Sequence, residues 1–309
     1  MNFKQLKCVC EIDKCKLNIS MAAEALFTNQ PGVSKQLKLL EDELGFEIFE
    51  RRRNRLIAVT PQGARFIVRA QNILNETQSI RRMSEEYRDG AVGPLVVAAT
   101  ETQAHYFLPR ILRKFSVRYP KIRVTMRHAE PGRVVEMLRT READLGITTQ
   151  ANPNANDIIT LPCLKAEKIV IVPKNHELTK LTEVNLRDIA SYPLITYDPG
   201  FTPGNQVLRE FQKQGLLPEF AVTAISADVI KSCVSEGLGI GILSSLTFNE
   251  KLDVHLSALP AGHLFEPSTT SVFLSRHLYL SKFIYDFLEL CGSQWTRHEV
   301  QTTMRALGD

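Results

Sequence analysis

A chain of 309 residues is long enough for two or three domains, each with its own hydrophobic core. With 44% apolar and 23% charged residues its composition is globular, which excludes a wholly disordered, fibrous or membrane-spanning chain. A net charge of +4, from 38 Lys and Arg against 34 Asp and Glu, is too small to mark a nucleic-acid binder by itself.

The first stretch predicts short helices followed by a hairpin. It opens without an apolar h-region or small-residue cleavage site, so a cytoplasmic protein with no membrane partner is expected. Phe3, Leu6, Val9 and Cys10 form a helical stripe. Ser20 is a candidate N-cap for a second, alanine-rich helix over Met21–Phe27. Pro31 suits the start of a third helix, where its missing N–H does no harm. Val33, Leu37, Leu40 and Leu44 give that helix one apolar face, and Gly45 stops it. Phe46–Val59 then carries Ile48, Phe49, Leu56 and Ile57 around an Arg53-Asn54 turn, as a two-stranded wing would. Three helices and an arginine-tipped hairpin describe a winged helix-turn-helix.

Polar and basic residues lie away from the apolar face of the third helix: Thr28, Gln30, Ser34, Lys35 and Lys38, with Pro31 setting the helix start. Such side chains can bond base edges and phosphates in a major groove. Arg51, Arg52 and Arg53 add a basic cluster on the wing. In isolation these are ordinary solvated positions; in one winged module they predict DNA binding.

Residues 61–90 predict one long helix of about 40 Å. Phe66, Ile73, Ile80 and Tyr87 recur every seventh residue, with Ala70, Thr77 and Ser84 four places after the first three. A heptad seam of large and small positions suits pairing with a second copy, although a core helix can carry the same period. Gly90–Pro94 follows as a hinge.

Beyond Leu95 the pattern alternates. Leu95–Ala99, Arg123–Met126, Leu145–Thr148, Ile169–Val172, Ala221–Ala224, Ile240–Leu243 and Ser271–Leu274 predict strands. Phe107–Arg118, Arg133–Arg141, Asn205–Gln214 and Ala227–Glu236 predict helices, with a surface loop over Asn152–Asn156. This is an α/β region large enough for two lobes and a cleft. Thr100–Gln103 sit between a strand and a helix, where hydroxyls, an amide and free N–H groups can hold an oxyanion.

Catalytic and metal patterns are absent from the sequence. The seven histidines form no HExxH, and there is no GxSxG. Cys8, Cys10 and Cys15 match no standard zinc spacing and are expected as packing thiols, as is Trp295 as a packing indole. No enzyme activity, metal or prosthetic cofactor is expected.

Several stretches resemble a known family. Ala22-Ala23-Glu24-Ala25-Leu26, Gln30-Pro31-Gly32-Val33-Ser34-Lys35-Gln36, Leu40-Glu41-Asp42-Glu43-Leu44-Gly45, Phe49-Glu50-Arg51 and Val59-Thr60-Pro61-Gln62-Gly63 resemble the DNA-binding module of LysR-type transcriptional regulators. The resemblance runs on through Glu142–Ile147 and Gly237–Gly241. The latter is a helix-to-strand turn, not a nucleotide fingerprint, because no helix with the required acidic residue follows it. The resemblance implies an α/β effector domain of the periplasmic-binding-protein type II fold behind the winged helix-turn-helix and a long linker helix. The expected domains are 1–60 for DNA binding and 61–90 for the linker. Residues 91–162 with 267–309 form lobe I, and 163–266 lobe II.

Within the family the chain is similar to the CysB/Cbl branch, regulators of sulfur assimilation, through Thr100–Tyr106, Leu161-Pro162-Cys163, Gly200-Phe201-Thr202 and Ala227–Lys231. That likeness implies a cytoplasmic activator of cysteine-biosynthesis genes that binds promoter DNA as a dimer or tetramer and contacts RNA polymerase. It also implies a small anionic effector (sulfate, thiosulfate or an acetylserine) held by Thr100, Thr102, Gln103, Thr149 and Thr202. These donors are all neutral, so selectivity is expected from geometry and the helix dipole. Glu130 departs from the pattern, since a carboxylate there repels sulfate unless it turns away or meets a cationic group; Glu101 and His105 also change the family's pattern. A LysR-type regulator of another pathway, a solute-binding protein and an enzyme on the same fold are the alternatives.

Overall fold

The computed structural model describes residues 1–53, 55–89, 92–149, 157–198 and 202–306. They fall into two compact units, Met1–Gly90 and Ala91–Asp309.

The first unit contains α1 (Phe3–Lys14), α2 (Ile19–Ala25), α3 (Gln30–Leu44), β1 (Phe49–Arg52), β2 (Arg55–Val59) and α4 (Pro61–Asp89). Asn2 and Gln5 cap α1 reciprocally, each side chain accepting from the other's backbone N–H. The N-cap of α2 is Asn18, not Ser20: its side chain accepts from the N–H groups of Ser20 and Met21. An amide side chain two residues earlier reaches two orphan donors, so the helix begins earlier, at Ile19, and ends at Ala25. Val33, Leu37 and Leu40 are buried with Ala22, Ala23, Ile48 and Phe49 in the unit's core. Gly45 ends α3 in the left-handed region, at φ 75°. Asn54 of the expected wing turn lies outside the described residues.

The seam on α4 divides. Phe66 packs edge-on against Phe46, and Ala70 is buried against Leu6 and Cys10 of α1, so both serve this unit's own core. Ile73 and Ile80 are 42% and 54% exposed, and the Tyr87 side chain lies outside the described residues. Cys8 and Cys10 point to different sides of α1, one into the main core and one toward α4. Burial pushes both thiols up, Cys10 to about 11.

The second unit contains β3 (Gly93–Ala99), α5 (Leu108–Arg118), β4 (Ile122–His128), α6 (Pro131–Arg139), β5 (Leu145–Thr148), β6 (Ile158–Ala166), β7 (Lys168–Pro173), α7 (Leu186–Ala190), β8 (Leu194–Tyr197), α8 (Thr202–Lys213), β9 (Phe220–Ala224), α9 (Ala227–Ser235), β10 (Ile240–Ser244), β11 (Leu256–Pro260), β12 (Ser268–Ser275), α10 (Lys282–Cys291) and α11 (Arg297–Ala306). They build two five-stranded sheets, ordered β4-β3-β5-β12-β6 in lobe I and β11-β7-β10-β8-β9 in lobe II. β3 runs parallel to β4 and β5, and β8 parallel to β9 and β10. Each lobe therefore gathers the carboxyl ends of parallel strands on one side, where open α/β sheets place ligands.

The chain leaves lobe I at Glu167, between β6 and β7, and returns between β11 and β12. The expected boundary at residues 162 and 163 falls inside β6, which stays paired with β12 through Ala166. Gly93 and Pro94, placed in a hinge by sequence, begin β3 because Pro94 occupies a register position beside Arg123. Gly90 and Ala91, and the loop at Asn152–Asn156, lie outside the described residues. At the turn from α9 to β10, Gly239 has φ 153°, and a Cβ there would meet the Pro193 carbonyl oxygen at 2.2 Å. These glycines therefore serve backbone packing, as a helix-to-strand turn requires. Trp295 donates its indole N–H to the Pro162 carbonyl at 2.7 Å and packs on the lobe I core.

Candidate functional site

Two surfaces carry the expected site residues. On the first unit, Thr28, Gln30, Pro31, Lys35 and Lys38 are exposed and Ser34 is half-buried along the start of α3. Asn29 caps the helix by accepting from the Gly32 N–H at 2.8 Å, and the Ser20 hydroxyl donates to Gln30 at 3.3 Å, tying α2 to α3. Arg52 and Arg53 are exposed on the wing. Arg51 is different, because its guanidinium is paired with the buried Glu41 carboxylate. Glu41 also accepts the backbone N–H groups of Ile48 and Phe49, so the pair fastens the wing to α3. The signal was present in the sequence as an acid on the α3 face ten places before Arg51, but helix periodicity does not reveal which arginine it meets.

The second surface is a cavity of about 110 Å³ between the lobes of the second unit. From lobe I it takes Thr100–Gln103 after β3, His128–Pro131 after β4, and Thr148 and Thr149 at the end of β5. From lobe II it takes Tyr197, Ile225, Ser244 and Leu246, at or just after the ends of β8, β9 and β10. Ala166, Lys168, Ser268 and Thr270, beside the two crossings, complete it. Five of the six residues expected around the effector thus meet in one cavity: Thr100, Thr102, Gln103, Glu130 and Thr149. Thr202 is the first residue of α8, and its side chain lies outside the described residues.

The chain after β3 is unusual in geometry. Gln103–Phe107 forms a π-helical turn leading into α5, a local widening that recurs at functional sites. The Thr100 hydroxyl donates to the buried Gln103 amide oxygen. The N–H groups of Glu101, Thr102 and Gln103 open this helical stretch, where no preceding carbonyl of the same helix can reach them.

Lys168 overturns the expectation of an all-neutral cleft. It is 2% exposed, lines the cavity, and donates from Nζ to Ser268 Oγ at 2.8 Å. Burial pushes its ammonium down to about 8. Sequence reading missed it because Lys168 precedes the apolar run Ile169–Val172 and looks there like a charged strand end. Glu130 lines the same cavity from its rim, exposed, as the N-cap residue of α6.

Beside the cavity the lobes are fastened by side chains from α9 and the helical stretch after β3. Glu101 accepts from the Ser226 hydroxyl at 2.7 Å, and the Tyr106 hydroxyl donates to Asp228 at 2.5 Å. His105 Nδ1 lies 3.1 Å from the same carboxylate, and Lys231 bridges Asp228 and Asp253. Burial raises the Asp228 pKa, but its bonds to Tyr106 and Lys231 outweigh that and hold the carboxyl below its usual range. Burial pushes Tyr106 and Tyr197 up to about 12, so both phenols stay protonated.

A winged helix-turn-helix in one chain with a two-lobed, cleft-bearing α/β unit defines the architecture of a transcriptional regulator that carries its own binding domain. Residues 3–64 match the bacterial regulatory helix-turn-helix protein, lysR family, and residues 88–296 match the LysR substrate binding domain. The chain belongs to the LysR family of DNA-binding transcriptional regulators. It is 39% identical over 305 residues to the HTH-type transcriptional regulator SsuR of Burkholderia cenocepacia, covering 99% of each. It is also 39% identical over 305 residues to CysB of Haemophilus influenzae, covering 99% of this chain and 94% of that one. The cofactor-binding domain of the Cbl transcriptional regulator superposes with a TM-score of 0.65 at 31% identity, over 69% of this chain and 93% of that one. Among the described residues no helix is long and apolar enough to cross a membrane.

Proposed function

We propose that this LysR-family regulator activates genes of sulfur assimilation and cysteine biosynthesis in response to a small anion held between its lobes. The observation that carries the effector reading is Lys168, a buried cation lining the cavity whose ammonium, among the described residues, is bonded to a neutral hydroxyl alone. A charge withdrawn from water in this way calls for a counter-charge. Thr100, Thr102, Gln103 and Thr149 supply further donors around it, with Thr202 as a carried-over member of the set. The sulfur assignment is supported by likeness to SsuR, CysB and Cbl along nearly the whole chain or the whole effector domain.

On the DNA side, Thr28, Gln30, Ser34, Lys35 and Lys38 read the major groove, Pro31 shapes the helix start, and Arg52 and Arg53 meet phosphates. Arg51 acts mainly through Glu41, holding the wing. The protein works in the cytoplasm as a homodimer through α4, assembling to a tetramer, and contacts RNA polymerase at the promoter. Glu130 at the cavity rim favours a second reading, in which the effector, and with it the regulated pathway, differs from the small oxyanion that the CysB/Cbl likeness implies.

The test is a mobility-shift titration of the full chain on promoter fragments of sulfur-assimilation genes, with and without sulfate, thiosulfate, O-acetylserine and N-acetylserine. Specific binding altered by at least one of them is expected. Binding to none of these promoters, or binding indifferent to all four compounds, refutes the pathway or the effector assignment respectively.

A further inference from the structure

Charges of opposite sign line the cavity, and among the described residues none of them is ion-paired within the protein. Among the described residues no carboxylate is ion-paired with the Lys168 ammonium; its hydrogen-bond partner is the Ser268 hydroxyl. An ammonium buried to this degree is costly unless something from solution matches it. At the rim, the Glu130 side chain makes no capping bond to α6. Glu101 adds a second carboxylate to the lining, with one oxygen engaged by Ser226. A bare dianion would satisfy Lys168 but would face two carboxylates, and among the described residues no second buried cation lines the cavity.

Size and lining bound the ligand further. At about 30 Å³ for each water-sized group, a cavity of about 110 Å³ holds roughly four such groups, so the ligand is small. Ala166, Ile225 and Leu246 supply apolar wall, which suits methylene groups better than an ion.

Building on the proposed effector role of the cleft, we infer that its ligand is a small zwitterion. Its acidic group sits on the Lys168 ammonium, its short carbon chain lies on the apolar wall, and its amino group faces Glu130. Lys168 selects for the acid and Glu130 for the amine. The ligand class is an amino acid or an amino-sulfonic acid, in contrast to an inorganic oxyanion.

Calorimetric titration of the full chain with matched probes tests this: β-alanine against propionate, aminoethanesulfonate against ethanesulfonate, and sulfate. The amino-bearing member of at least one pair is expected to bind wild type tenfold or more tighter than its deaminated counterpart. Lys168→Met is expected to lose tenfold or more for both members, and Lys168→Arg to recover part of it. Glu130→Gln is expected to abolish the preference for the amine while leaving the simple acids unchanged or improved. Thermal melts of each variant separate loss of binding from loss of fold. Equal binding of both members of each pair to wild type, or Lys168→Met binding as wild type does, overturns the inference. Sulfate binding that requires Lys168 while all four organic probes fail overturns the zwitterion but leaves the anion-effector reading standing. Failure of all five probes overturns both.

Discussion

The Lys168 ammonium and the Ser268 hydroxyl, 2.8 Å apart, join the first residues of the two strands that follow the crossings between the lobes, β7 and β12. A single buried cation therefore sits where the lobes are connected, and its environment depends on both crossings.

Replacing this ammonium with an apolar side chain of similar length removes a desolvation cost. Lys168→Met is expected to stabilise the unliganded protein by about 1–4 kcal/mol, the range seen when buried ionic groups give way to well-packed apolar ones. Urea unfolding followed by circular dichroism measures it. Marked destabilisation would mean that the bond to Ser268 outweighs the burial cost.

The same group predicts a pH dependence. Lys168 titrates at about 8 in the folded protein, against an ordinary 10.5. Below pH 8 it is protonated both folded and unfolded, and its burial cost is fully present. Between about 8 and 10.5 the folded form sheds the proton and the cost recedes, so stability rises with pH by up to about 3 kcal/mol. Anion affinity moves in the opposite direction, falling above pH 8 as the charge is lost. Glu101, Glu130 and His128 line the same cavity, so the control is Lys168→Met, in which the alkaline fall in affinity is expected to vanish. Titrations at about pH 7, 8.5 and 9.5, on either side of the Lys168 pKa of about 8, supply the comparison.

Arg51 and Arg52 are expected to behave differently despite being neighbours. Glu41→Ala strands the N–H groups of Ile48 and Phe49 along with Arg51, and is expected to cost roughly 2–3 kcal/mol. Arg52→Ala is expected to leave stability within about 0.5 kcal/mol and to reduce the salt slope of promoter binding by about 1. Chemical denaturation and mobility shifts at graded salt distinguish the two effects. An unchanged salt slope removes Arg52 from the phosphate contacts.

Ile73 and Ile80 are the exposed part of the α4 seam. Ile73→Asp with Ile80→Asp is expected to lower the oligomeric mass in analytical ultracentrifugation at micromolar concentration, without lowering the stability of the first unit, whose core contains neither side chain. An unaltered mass would place the pairing surface elsewhere.

Much of the architecture was legible before any coordinates. The Val33, Leu37 and Leu40 stripe, the Gly45 stop and the strand at Leu145–Thr148 follow from periods and turn chemistry that span only a few residues. β8 is confined to Leu194–Tyr197 and went unpredicted, and Pro162 interrupts the apolar pattern of β6. Phe66 had the right period for a seam, yet a heptad does not specify whether its neighbour is a second copy or Phe46 of the same chain. In the cleft, Thr100–Gln103 were visible as a strand-to-helix junction, whereas Lys168 was not visible as a buried charge. Helix and strand periods are local properties of the chain. The environment of Lys168 is set by Ser268, one hundred residues away, and by walls from both lobes, so only tertiary folding decided that a lysine at the head of an apolar strand would become the cleft's buried cation.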